Sequence, residues 1–136
     1  MREQKRILIV SNNHTSKLVE IMETSLNTFG YEIMTTVHTG PALESAIVEL
    51  MPHMIIVDFS LSYMEGIRIS LQIRQWSPLP VLVLTPNTSR PNAVSTLSLN
   101  RNDYLSDPLD VSDLSLLVEN ILGSDLAPSS DYKNLS

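Results

Sequence analysis

The chain has 136 residues, 43% of them apolar, and a formal net charge of −6. That is enough for one hydrophobic core, and too acidic for a domain that grips a phosphate backbone by itself. No apolar run approaches the roughly 20 residues that cross a bilayer, MREQKR is not followed by a stretch greasy enough for a secretory signal, and zero cysteines exclude disulfides and thiolate chemistry and suit a cytoplasmic protein.

RILIV (6–10) is a continuous, β-branched run and predicts a strand buried on both faces. Leu18, Ile21, Met22, Leu26 and Phe29 then recur at helical spacing, with Gly30 where a C-terminal cap belongs. YEIMTTV (31–37) is more polar and predicts an edge strand. Pro41 suits the first turn of a helix carrying Leu43, Ala46, Ile47 and Leu50, and Pro52 ends it. MIIVD (54–58) reads as the third strand; beyond Gly66, Ile67, Leu71 and Ile73 mark a short third helix. PVLVL (80–84) is the fourth strand.

In TPNTSRPNAVSTLSLN, Val94, Leu97 and Leu99 point to a fourth helix, short or labile because Ser, Thr and Asn are poor helix formers. DYL (103–105) lies in a fifth strand, and a last helix is expected from about residue 110, with Asp110 and Asp113 at its start. The segment after Gly123 is polar and aperiodic. The expected division is therefore a domain over 1–123 and a tail or linker over 124–136.

Alternating strands and helices imply a parallel sheet covered on both faces, with function beyond the carboxyl ends of its strands. The residues gathered there are Ser11, Asn12 and Asn13, then Asp58, Thr85 and Pro86, and finally Ser106, Asp107 and Pro108. His14, His38 and His53 show no metal-ligand spacing, and there is no glycine-rich phosphate loop or nucleophile triad.

PHMIIVDFSLSYMEG, PVLVLT and NDYLSDPLD, in this order and at these separations, resemble the receiver domain of bacterial response regulators of two-component signalling, over about Arg6 to Leu122. The resemblance implies a flavodoxin-like (βα)5 fold: a doubly wound, five-stranded parallel sheet in the order 2-1-3-4-5, with helices on both faces. It implies Asp58 as the phosphoacceptor position and Thr85 and Tyr104 as switch positions. It also implies a magnesium ion held by two acids after the first strand, the acceptor and a carbonyl two residues on, and a lysine after the fifth strand. Ser11 and Asn12 stand in place of the acids, and Asp107 in place of the lysine. The magnesium site at Ser11, Asn12, Asp58 and Ser60 is thus degenerate, and no cofactor is expected beyond weakly held magnesium.

If Asp107 approaches Asp58, each unit-charge repulsion is on the order of 4 kcal/mol at about 4 Å and an effective dielectric near 20, against an added phosphoryl group. The resemblance further implies a cis bond before Pro108, and Pro86 removes an amide that would face phosphoryl oxygens.

The expectation is a non-enzymatic receiver domain of phosphorelay-type signalling that works as a phosphorylation-independent protein-interaction module. The alternative is a magnesium-dependent phosphoacceptor using Asp58. Expected partners are a histidine kinase, an output domain C-terminal to this segment, or a second copy through the face made by the fourth helix, fifth strand and fifth helix. Neither nucleic acid nor membrane is an expected partner of this domain alone.

Overall fold

The computed structural model describes residues 4–11, 17–58, 63–86, 93–99, 104–110 and 113–126. In chain order these form β1 (Arg6–Ser11), α1 (Lys17–Thr28), β2 (Glu32–Thr36), α2 (Gly40–Leu50) and β3 (Met54–Asp58). They continue with α3 (Tyr63–Trp76), β4 (Val81–Pro86), β5 (Ala93–Leu99), β6 (Tyr104–Asp110) and α4 (Leu114–Leu126). The strands make one sheet in the order β2-β1-β3-β4-β5-β6.

The four strands from β2 to β4 are parallel. β1 and β3 lie between two neighbours and are covered on both faces, which is why their sequences are unbroken apolar runs. Side chains alternate. Ile7, Ile9, Met54, Ile56, Leu82 and Leu84 meet α1 and α4 on one face. Leu8, Val10, Ile55, Val57, Val81 and Val83 meet α2 and α3 on the other. Each fully buried branched residue contributes on the order of 2 kcal/mol by leaving water.

Local chemistry sets the element ends. Gly30 takes φ +91° after α1, a left-handed conformation that glycine adopts without a Cβ clash. Met51 closes α2 at φ 51°, its N–H donating to the Ile47 carbonyl at 3.0 Å, and Pro52 forbids a further turn. Below the sheet the Arg6 amide donates to His53 Nδ1 at 2.9 Å, and the Arg6 guanidinium donates to the Leu50 carbonyl at 3.0 Å. His53 is thereby a structural acceptor. The Tyr31 hydroxyl donates to Glu119, tying the start of β2 to α4.

Several expectations change. Residues 94–99 form a strand, not a fourth helix, so β5 runs antiparallel to both β4 and β6. The five expected strands keep their relative order, with this additional strand inserted before the last. The local reason is a sequence poor in helix formers whose alternation places Val94 and Thr96 on one face. The nonlocal reason is the edge of β4, along which residues 94–99 pair with 81–86 without a break. The expected helix-strand-helix interaction face is consequently made of β5, β6 and α4.

In the helices, Phe29 is 48% exposed and Leu71 50%, whereas Val19, Ile69 and Ser70 are buried. The expected Met22, Leu26 and Ile73 are buried; Val19, Ile69 and Ser70 join them, Leu71 turns outward, and Phe29 lies just past the end of α1. Finally, α4 begins at Leu114 and continues through Gly123 to Leu126, three residues past the expected boundary. Among the described residues no peptide bond is cis, and the cis bond expected before Pro108 is not found.

Candidate functional site

Asp58 ends β3 at the carboxyl edge of the parallel strands. Its register partners are Ser11, the last residue of β1, and Leu84 of β4. By strand alternation Ser11 and Asp58 share the face covered by α1 and α4, and the Ser11 hydroxyl donates to Asp58 Oδ2 at 3.3 Å. Both residues are buried, and Asp58 Oδ1 has no hydrogen-bond partner. Burial raises the Asp58 carboxyl from the ordinary 3.8 to about 6, while the Ser11 hydrogen bond opposes the shift. The result is a desolvated carboxyl with one weak donor on one oxygen and nothing on the other.

The structure brings together only part of the expected constellation. Asn12 and Ser60 lie outside the described residues. For Thr85, Tyr104 and Asp107 the backbone is described and the side chains are not. Thr85 is the register partner of Ser95, and Tyr104 that of Ser98. Strand β5 therefore separates the two expected switch positions, which are offset by three residues along it.

Asp107 and Pro108 form a β-bulge: Val94 pairs with Leu109 and Thr96 with Ser106, leaving these two residues opposite Ser95 alone. A bulge on an edge strand is one of the few sheet positions that tolerates proline, which has no amide to give. Both β4 and β5 stand between Asp107 and Asp58. That is three strand spacings, about 14 Å of backbone. The expected close approach of the two carboxylates, and its repulsion of several kcal/mol, does not follow from this topology.

One residue went unremarked in the sequence. Thr96, paired with Leu84, is buried, and its hydroxyl also lacks a hydrogen-bond partner. Its signal was the alternation of Val94 and Thr96, legible only once the segment is read as a strand. Away from the strand ends, a groove of about 470 Å³ lies between α1 and α4, with Glu20, Thr24, Phe29 and Ser115 among its walls.

A parallel β2-β1-β3-β4 core with an aspartate at the end of its third strand defines a flavodoxin-like, doubly wound signalling domain. The chain belongs to the response regulator receiver domain family, whose model matches residues 7–119. It is 31% identical over 133 residues to the alkaline phosphatase synthesis transcriptional regulatory protein PhoP of Bacillus subtilis, covering 96% of this chain and 54% of that protein. It is 29% identical over 130 residues to the transcriptional regulatory protein PrrA of Mycobacterium tuberculosis, covering 93% and 54%. The chain thus spans about half the length of these curated relatives. Among solved structures, HypX from Aquifex aeolicus superposes with a TM-score of 0.61 over 93% of this chain and 28% of that one. At 16% identity it speaks for the fold alone. The family places the chain in two-component signal transduction.

Proposed function

We propose that this receiver domain works as a protein-interaction module without phosphorylation of Asp58. The observation that carries the reading is the Ser11–Asp58 pair. A neutral hydroxyl stands beside the buried aspartate where the family's chemistry implies a carboxylate, and it already occupies one Asp58 oxygen.

Magnesium requires about six hard oxygen ligands in near-octahedral array and relies on carboxylates to offset its dehydration. At the four positions the family uses for the ion, this sequence has Ser11, Asn12, Asp58 and the Ser60 carbonyl, which is one carboxylate where the family uses three, and such a set is a poor match for magnesium. Phosphoryl transfer is driven by positioning and charge neutralisation rather than by covalent assistance from the protein. With Asp107 where the family has a lysine, the cation that would neutralise the transferring group is missing from that position.

The partners proposed are a histidine kinase or an output domain, met through the surface formed by β5, β6 and α4. The named relatives are transcriptional regulators, so the output is proposed to be transcriptional, with the acidic domain itself making no nucleic-acid contact, in the cytoplasm. The test is treatment with magnesium and a small acyl phosphate, followed by mass spectrometry, together with titration by magnesium and beryllofluoride monitored by backbone amide shifts. No added phosphoryl mass and no saturable shift near Asp58 is the expected result. A phosphoryl adduct on Asp58, or saturation at millimolar metal, would establish the phosphoacceptor reading instead.

A further inference from the structure

Two buried side-chain oxygens among the described residues have no hydrogen-bond partner: Asp58 Oδ1 and Thr96 Oγ1. They are not scattered. The register runs Ser11 to Asp58, Asp58 to Leu84, Leu84 to Thr96 and Thr96 to Ser106, a single transverse row across five strands. Residues paired directly across strands share a face, and Leu84 belongs to the face packed by α1 and α4. Asp58 and Thr96 therefore flank Leu84 on that face, two strand spacings or about 10 Å apart.

Burying either oxygen without a partner is unfavourable, and two such groups in one row call for a common explanation. Internal water normally meets such groups when it finds two to four polar partners. Asp58 Oδ1, the Ser11 hydroxyl and Thr96 Oγ1 provide them. Three hydrogen bonds of roughly 2.8 Å, passing through two water molecules, span about 8 Å, which fits this separation once the side chains lean inward. The route runs beside Leu84 on the face packed by α1 and α4.

We propose that bound water links Asp58 to Thr96 across β4 at Leu84, so that a change at the Asp58 carboxyl is transmitted to strand β5 and thus to the β5–β6 margin. The link places the receiving hydroxyl on β5, one strand beyond the Thr85 switch position. It holds whether or not Asp58 accepts phosphate, so its failure leaves the function proposed above standing, and the reverse is also true.

The experiment is a double-substitution cycle on the full chain, read by backbone amide shifts. D58N is compared in the wild-type background and in T96V, which keeps the shape of the side chain and removes the hydroxyl. T96S restores the hydroxyl and serves as the rescue. The expected result is that D58N shifts the amides of residues 95–97 in wild type and T96S, and that these shifts fall at least about twofold in T96V. Magnetisation transfer from water to the Thr96 amide region is expected in wild type and T96S and absent in T96V. Equal D58N shifts in all three backgrounds, shifts confined to β1 and β3, or water transfer unchanged by T96V would overturn the proposal.

Discussion

The parallel part of the sheet and its antiparallel margin are made from different kinds of sequence. Every residue of β3 is buried, and β1 is nearly so, each with one covering layer above and one below. β5 draws on Ser, Thr and Leu, burying Val94 and Thr96 while Ser95 and Leu97 stay half-exposed. The first region is held by apolar area on two faces. In the second, the described side chains of β5 bury one apolar residue, Val94, with Leu97 partly buried on the other face, beside the backbone pairing with β4. Lower local stability is expected where fewer buried apolar contacts reinforce the ladder. A receiver that communicates through its β5–β6 margin would gain from that gradient, since the part that must respond is not the part that keeps the fold.

Substitutions can sharpen or break this contrast. Ile56→Ala in β3 is expected to cost about 4 kcal/mol in urea unfolding, against about 1 kcal/mol for Leu97→Ala in β5. Equal losses would show that the margin is as much core as the centre. Next in size is Asp58. Its carboxyl is raised from 3.8 to about 6 in the folded state, so the native chain binds that proton more tightly than the unfolded chain. Its favourable contribution is complete below 3.8 and is lost as pH rises through about 6. The total lost is at most about 3 kcal/mol. Asp58→Asn is therefore expected to flatten stability over that window and to exceed wild type at pH above about 7, as measured by chemical denaturation at several pH values. A wild-type curve that rises with pH in the same window would contradict the desolvated site. Tyr31→Phe, which removes the hydroxyl bonded to Glu119, is expected to cost about 1 kcal/mol. The smallest effect belongs to Glu32→Gln, which cuts the exposed ion pair with Arg6 (3.3 Å), expected at no more than about 0.5 kcal/mol.

The parallel strands were legible because a strand buried on both faces must be a continuous apolar run, as in RILIV and MIIVD. The position of Asp58 followed, since a carboxylate that stops such a run stands at the mouth of the sheet. The segment 94–99 was not legible, because Val94 and Leu97 fit one turn of a helix as well as opposite faces of a strand. What decides between them is the open edge of β4, which no local window contains. That one element also moves the expected site residues apart. With β5 in place, Asp107 is two strands removed from Asp58's neighbour, and Thr85 and Tyr104 are no longer adjacent. The burial of Val19 beside the expected Met22 and Leu26 reflects where α4 packs, which again is set by distant residues.

The bulge at Asp107 and Pro108 has a consequence for the molecule in crowded solution. An outermost strand with a regular ladder is a template on which a foreign strand can grow, and fibrils begin in that way. Here the rim carries an imino acid with no hydrogen to offer and an extra residue that throws the spacing out of step. Both features disfavour the recruitment of a further strand along that border.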